Sequence, residues 1–278
     1  MEKEIISVLK YFSFFAYQPT LEEIHTFLPA KISKNELKME LDRLKYTPPQ
    51  YSIERKISKR KLKNWRFKVY VKLLSFFPQI KLVGLSGSIA MMNARTDDDI
   101  DLFIITAKNR LFTGRFIALI LAQILGLRRK RDYTTLMRPH SSCIYKNKVC
   151  LNLFFDESNL KVPKFKQTEF VGHEVLQMKP IINKNYTYEK FLEANKWVFE
   201  LFPNAKSQIN YKYYSGVIPV KTGIQTKITL FGISDRIEQI LKNFQLLLIN
   251  KHKTTEIITN SQLWFHPDDF GKKIFTDY

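Results

Sequence analysis

The residues best suited to chemistry lie close together: Gly87-Ser88 and, after ten intervening residues, Asp99-Ile100-Asp101. A glycine lets the backbone approach a ligand and adopt unusual φ. A serine at a helix start offers a hydroxyl beside unpaired N–H groups, a place for a phosphate. Two carboxylates two residues apart on a strand project from one face and together hold hard divalent cations that bridge to phosphate oxygens. The combination points to metal-assisted chemistry on a phosphorylated substrate, with Asp99 and Asp101 as metal ligands and Gly87 and Ser88 as the triphosphate-binding turn. The chain has no Gly-x-x-x-x-Gly-Lys-Ser/Thr run, and Gly84 with Gly87 makes no dinucleotide fingerprint. Asp97, Asp99 and Asp101 imitate the opening of an EF-hand, but Leu102 stands where that loop needs Gly and Lys108 where it needs Glu. The plain alternative is an acidic turn between a strand and a tight bend.

The periodicities say what must position these residues. Strands are expected over 80–85 and 100–106, with a short helix over 88–94 between them and a long helix over 111–127. Residues 142–145 and 149–155 flank Lys146-Asn147-Lys148 as a hairpin. Helices follow over 169–178, 188–202 and 233–251. Between the last two lies an acid-free, Gly- and Pro-containing loop over 215–227, which resembles translated dispersed bacterial repeats and reads as an insertion.

The N-terminal part has its own pattern. Ile5, Ile6, Leu9 and Phe12 repeat at helical spacing, and capping-box pairs Thr20/Glu23 and Ser33/Glu36 open two more helices. Pro48-Pro49 closes the third, and Tyr51, Ile53 and Arg55 alternate as a short strand would. Helix, helix, helix, wing is the order of a winged helix-turn-helix. Its third helix mixes Lys34, Lys38, Arg43 and Lys45 with Glu36, Glu40 and Asp42, poor dress for a phosphate backbone. A linker helix should then bury Leu62, Trp65, Val69, Leu73 and Phe76 and expose Lys61, Lys68 and Lys72. The domain reading is a winged-helix-like unit over 1–58, linker helix and catalytic core over 59–166, and a mostly helical region over 167–278.

The 278 residues carry 45 basic and 26 acidic side chains, a net +19 that favours anionic partners. Residues 54–72 hold nine Lys or Arg against one Glu, so nucleic acid is a candidate partner through this basic helix or the winged helix. Only two cysteines, Cys143 and Cys150, are present, which excludes a disulfide scaffold and suits a reducing cytoplasm. They read as half-buried thiols in neighbouring strands. The start MEKEIISVLK lacks the features of a signal peptide, and the apolar part of 111–127, interrupted by Arg115, is shorter than the roughly 20 residues a bilayer demands. A cytoplasmic protein with no membrane partner is expected.

Gly87-Ser88 followed by Asp99-Ile100-Asp101 resembles the signature of the nucleotidyltransferase fold of the DNA polymerase beta superfamily. More widely, the chain is similar to uncharacterised bacterial and archaeal nucleotidyltransferase-domain proteins with an N-terminal winged helix. That likeness runs through Ser86-Gly87-Ser88, Asn109-Arg110-Leu111, Leu151-Asn152, the segment 173–177 and His266-Pro267. The resemblance implies an α+β fold with a mixed sheet, two Mg²⁺ ions on the acidic pair, a nucleoside triphosphate such as ATP at Gly-Ser, and transfer of a nucleotidyl group to a hydroxyl acceptor. Active members usually add a third carboxylate from the next strand, where this chain has Asn152; Asp156, Glu157 and Glu174 are the substitutes within reach of sequence reasoning. Lys108, Arg110 and the basic run 128–131 are candidates for phosphate contact, and His173 is a weaker catalytic candidate than a structural one. The competing reading is a degenerate domain that senses nucleotide, with the winged helix binding DNA or protein. A polynucleotide-processing transferase is a third. All depend on the acids facing the Gly-Ser bend across a shared hollow instead of being buried as ion pairs with lysine or arginine.

Overall fold

The computed structural model describes residues 1–48, 52–129, 147–208, 235–251 and 255–265. The expected strand over 142–145, Cys143, Lys130 and Arg131, the inserted loop 215–227 and His266-Pro267 lie outside them.

At the centre is a six-stranded sheet of β1 (Ile80–Leu85), β2 (Ile100–Thr106), β3 (Val149–Asp156), β4 (Lys179–Asn183), β5 (Ile257–Ile258) and β6 (Gln262–Trp264), in the order β4-β1-β2-β3-β6-β5. β2 and β3 run parallel and every other neighbouring pair is antiparallel. The fold is therefore α+β with a mixed sheet. β1 and β2 read as almost unbroken apolar runs because helices cover both faces.

On one face, Val83, Leu85, Leu102, Ile104 and Phe154 pack against Phe67, Tyr70, Val71 and Leu74 of α5 (Trp65–Phe76) and Phe112, Ala118 and Ala122 of α7 (Leu111–Ile124). On the other, Leu82, Phe103, Ile105 and Phe155 meet Val175 of α8 (Glu169–Gln177), Phe191 and Leu192 of α9 (Thr187–Ala194) and Val198 of α10 (Val198–Leu201). Each large apolar side chain so buried contributes about 1.5–3 kcal/mol, which fixes strand register as well as stability. α12 (Asp235–Asn250) lies on α7, and its Glu238 accepts from the backbone N–H of Phe112 and Thr113 at 2.8 and 3.0 Å. A carboxylate is thus supplied to a helix N-terminus that lacks a side-chain cap of its own.

The three N-terminal helices, α1 (Glu2–Phe14), α2 (Leu21–Phe27) and α3 (Lys34–Arg43), form as their patterns require, and both capping boxes are made. They share an apolar cluster with Met91, Phe202 and Ala205, so their core is closed by distant parts of the chain. Lys34 and Arg43 of α3 are ion-paired with Glu22 and Glu40.

The structure corrects several expectations. Ile53 and Arg55, expected in a short strand, are helical instead: Ser52 caps α4 (Ile53–Lys63) by accepting from Arg55 N at 3.1 Å, and Tyr51 lies outside the described residues. Glu54 in the first turn and Arg60, Lys61 and Lys63 in the last match the helix dipole. The linker helix is two helices, because Asn64 ends α4 and caps α5 with its side chain. The break rotates the buried stripe: Trp65 and Phe76 are each 65% exposed, while Phe67, Tyr70, Val71 and Leu74 are core. The expected helix over 188–202 divides into α9 and α10, and the helical C-terminal region also gives the sheet β4, β5 and β6. Among the described residues, no helix is long and apolar enough to cross a membrane.

Candidate functional site

β1 runs into a bend whose geometry favours glycine. Gly87 has φ +59°, and a Cβ there would lie 2.7 Å from Asp101 Oδ2. Backbone conformation and side-chain clearance therefore make the same demand. Ser86 N donates to the carbonyl of Asp101 at 3.1 Å, which locks the bend to the first turn of β2. The Asp101 carboxylate thus lies against Gly87.

The helix after the bend, α6 (Gly87–Ala90), is shorter than expected, and Ser88 is already engaged: its hydroxyl donates to Asp98 Oδ2 at 3.0 Å. The same oxygen accepts from Arg95 N at 2.8 Å. Asp98 thus closes the loop between α6 and β2, and the Ser88 hydroxyl is part of that closure. From the other side Lys61, expected on a solvated face, is 2% exposed and donates to the carbonyls of Thr96 and Asp98 at 2.9 and 2.5 Å. Ser58 accepts from Ala94 N at 3.0 Å. α4 is therefore a brace for the loop that presents Asp99. Sequence reasoning missed this; the available signal was a lysine interrupting the apolar side of α4.

Parallel pairing brings the starts of β2 and β3 together, with Asp101 opposite Cys150. Carboxylate oxygens of Asp99 and Asp101 and the Cys150 sulfur all lie within 4.8 Å of one another. Arg129, fixed beside β3 by the bridge of Arg128 to Val149, donates to Asp99 Oδ2 at 2.7 Å and lies 3.6 Å from Cys150 Sγ. Its side chain is 41% exposed, against 16% for Asp99. The arginine side of the pair is open to water, which screens the attraction. Asp99 is paired with an arginine, then, but at the mouth of the site and not sealed within it.

Burial, followed by the neighbouring Asp99 charge, raises the Asp101 pKa to about 7; the Cys150 hydrogen bond and Arg129 oppose the rise. Burial and the same two carboxylates push the Cys150 thiol upward. A concentration of negative charge that cannot fully ionise alone is what a bound cation relieves.

Of the accessory candidates, Glu174 acts electrostatically on Asp101. It sits on α8, its pKa is raised to about 7 by burial, and its charge adds to the rise at Asp101. Asn152 follows Cys150 on β3 at a break in register with β2, where its carbonyl accepts from Phe265 N at 2.9 Å. Lys108, Asp156 and Glu157 are at the opposite end of the parallel pair, because Thr106 and not Asp101 is the partner of Asp156. That distance removes them from the site: the strand between spans about 3.3 Å per residue. Arg110 pairs there with Asp235. His173 is 1% exposed and stacks between Tyr11 at 3.7 Å and Phe27 at 4.2 Å, its pKa held well below the ordinary value by burial. It is a neutral core residue.

A scan against protein-family models and searches of curated proteins and solved structures find no match for this chain. The case for function therefore rests on the site. Its donors fit a divalent cation: two carboxylates and a sulfur converge, and the glycine leaves the Asp101 carboxylate clear.

Proposed function

We propose that the protein is a metal-dependent nucleotidyltransferase, moving a nucleotidyl group from a nucleoside triphosphate such as ATP to a hydroxyl acceptor. The observation that carries this reading is the Gly87 bend held against a pair of converging carboxylates, Asp99 and Asp101. In the transfer, an acceptor oxygen bonds to the α-phosphorus as the bond to pyrophosphate breaks, and the acceptor proton is lost. A bound divalent cation would neutralise phosphate charge and orient the acceptor oxygen. Asp99 and Asp101 would hold that cation, and Gly87 would leave phosphate oxygens room beside them. Arg129, released from Asp99, is positioned to pair with the triphosphate.

The test is purified protein with labelled ATP, a divalent cation and cell extract, followed by separation of labelled products. Label transfer with pyrophosphate release, lost in Asp99→Asn and Asp101→Asn, is expected; equal labelling by all three proteins overturns the assignment. The Arg129–Asp99 ion pair supports a second reading, a nucleotide sensor that binds without turnover. Saturable ATP binding with no pyrophosphate release would favour it.

A further inference from the structure

We propose that Cys150 is the third ligand of the Asp99–Asp101 group, and that the site takes a thiophilic divalent cation of the zinc type in preference to Mg²⁺. The proposal builds on the metal-binding part of the reading above and adds the identity of the ion.

Position is the first argument. Cys150 is paired with Asp101 by main-chain register, so its sulfur is set opposite the carboxylate by the sheet itself. Donors about 2.0–2.3 Å from one tetrahedral ion lie about 3.3–3.8 Å apart. The three ligand atoms, all within 4.8 Å of one another, close on a cation by side-chain shifts of up to about 1.5 Å.

Surroundings are the second. Val149 and Leu151 pack into one apolar cluster, and Leu153 and Phe155 into another. Cys150 is 2% exposed yet joins none of the three apolar clusters. A thiol that merely filled the core would sit among such side chains; this one faces two carboxylates.

A third observation is that a cation already rests on this donor set. One nitrogen of Arg129 reaches both Asp99 Oδ2 and Cys150 Sγ. Positive charge is thus held between oxygen and sulfur where the ion would enter.

Sulfur then decides the ion. Mg²⁺ requires oxygen ligands in near-octahedral array, and thiolate favours zinc and its analogues. Binding exchanges the thiol proton for a metal–sulfur bond; the proton goes to solvent and no electron moves.

The experiment uses full-length protein with Cys143→Ser, so that Cys150 is the sole thiol. Titration with Co²⁺ should give a thiolate-to-cobalt charge-transfer band in the near ultraviolet, absent from Cys150→Ser. Zn²⁺ should bind Cys150→Ser about tenfold more weakly or worse, with Mn²⁺ affinity altered less than about threefold. Absence of the band, or equal Zn²⁺ affinity in both proteins, overturns the proposal. Zinc-edge X-ray absorption tests the same point without altering Cys150: one sulfur neighbour is expected, and a shell of oxygen and nitrogen alone refutes it. A cobalt–thiolate band in a protein with no transferase activity would support the ligand assignment while removing the catalytic one. Mg²⁺-supported turnover with no band would do the reverse.

Discussion

The two ends of the parallel pair β2–β3 each carry a carboxylate, and they are built in opposite ways. At the far end Asp156 is 1% exposed and satisfied: it accepts from Arg110 N at 3.3 Å and from the N–H and hydroxyl of Ser158 at 2.8 and 2.5 Å. At the near end Asp101 faces another carboxylate and a thiol, with its pKa driven up to about 7. Satisfied polar groups hold a fold together, whereas crowded like charges at a strand end cost stability unless something binds there. The contrast separates the acid that is structure from the acid that is site, although both occupy the ends of apolar strands.

The largest expected effect breaks that contrast directly. Asp101→Asn should lower transfer by roughly 10³-fold or more, since it removes a ligand from a cation contributing several kcal/mol to the transition state. The thermal midpoint should stay level or rise, because a poorly solvated charge is gone. Asp156→Ala should do the opposite: it strands Arg110 N and Ser158 N and costs about 1–3 kcal/mol, with turnover per folded molecule unchanged. Steady-state pyrophosphate release and thermal melts on both proteins decide the matter. A stability loss in Asp101→Asn matching that in Asp156→Ala would mean the two ends are alike.

Much of the frame was legible in the sequence for reasons the structure makes plain. β1 and β2 are apolar runs between polar turns, and Thr20/Glu23 and Ser33/Glu36 cap locally, so neighbouring residues alone define them. The Gly87 bend and Asp99-Ile100-Asp101 were equally local. What stayed hidden depends on partners distant in sequence. Lys61 appears basic and solvated until the carbonyls of Thr96 and Asp98 are found against it. Cys150 is unremarkable until parallel pairing sets it opposite Asp101, while Asn152, which attracted attention by its expected place, falls at the register break. His173-Glu174 illustrates the limit well, because adjacent helix residues point about 100° apart. One is buried between Tyr11 and Phe27, and its neighbour adds its charge to the acidic site.

Glycine offers a sharper version of the comparison at smaller magnitude. Gly87 and Gly126 both have positive φ, +59° and +64°, but a Cβ at Gly126 would meet only Arg66 Nη1 at 3.6 Å. Both Gly→Ala variants should lose about 1–2 kcal/mol of stability from the left-handed backbone. Gly87→Ala alone should also lower transfer, by about 10²-fold, because the new methyl displaces the Asp101 carboxylate. Equal turnover in the two variants would remove the steric role assigned to Gly87. Lys61→Met should fall below these in effect. It leaves two carbonyls without their donor, costing about 1–3 kcal/mol, and should weaken metal binding about tenfold through the loop that carries Asp99. Metal titration of Lys61→Met beside wild type reads that loss.

The smallest effect is a slope. In metal-free protein the Asp101 pKa rises from 3.8 to about 7 on folding, and that of Glu174 from 4.5 to about 7. Between about pH 4 and 7 the folded state therefore retains protons that the unfolded chain has released. Stability from these two groups is greatest below the unfolded values and declines as pH rises through the window, by about 1–2 kcal/mol each once water at the half-open site is allowed for. Chemical denaturation at pH 4.5 and 7.5 should show the fall in wild type and a shallower fall in Asp101→Asn. A saturating divalent cation should reverse the trend, because it binds the ionised carboxylates and so gains strength as pH rises. A wild-type slope that neither Asp101→Asn nor metal alters would place the titrating charge elsewhere and leave the two strand ends without the electrostatic difference that separates them.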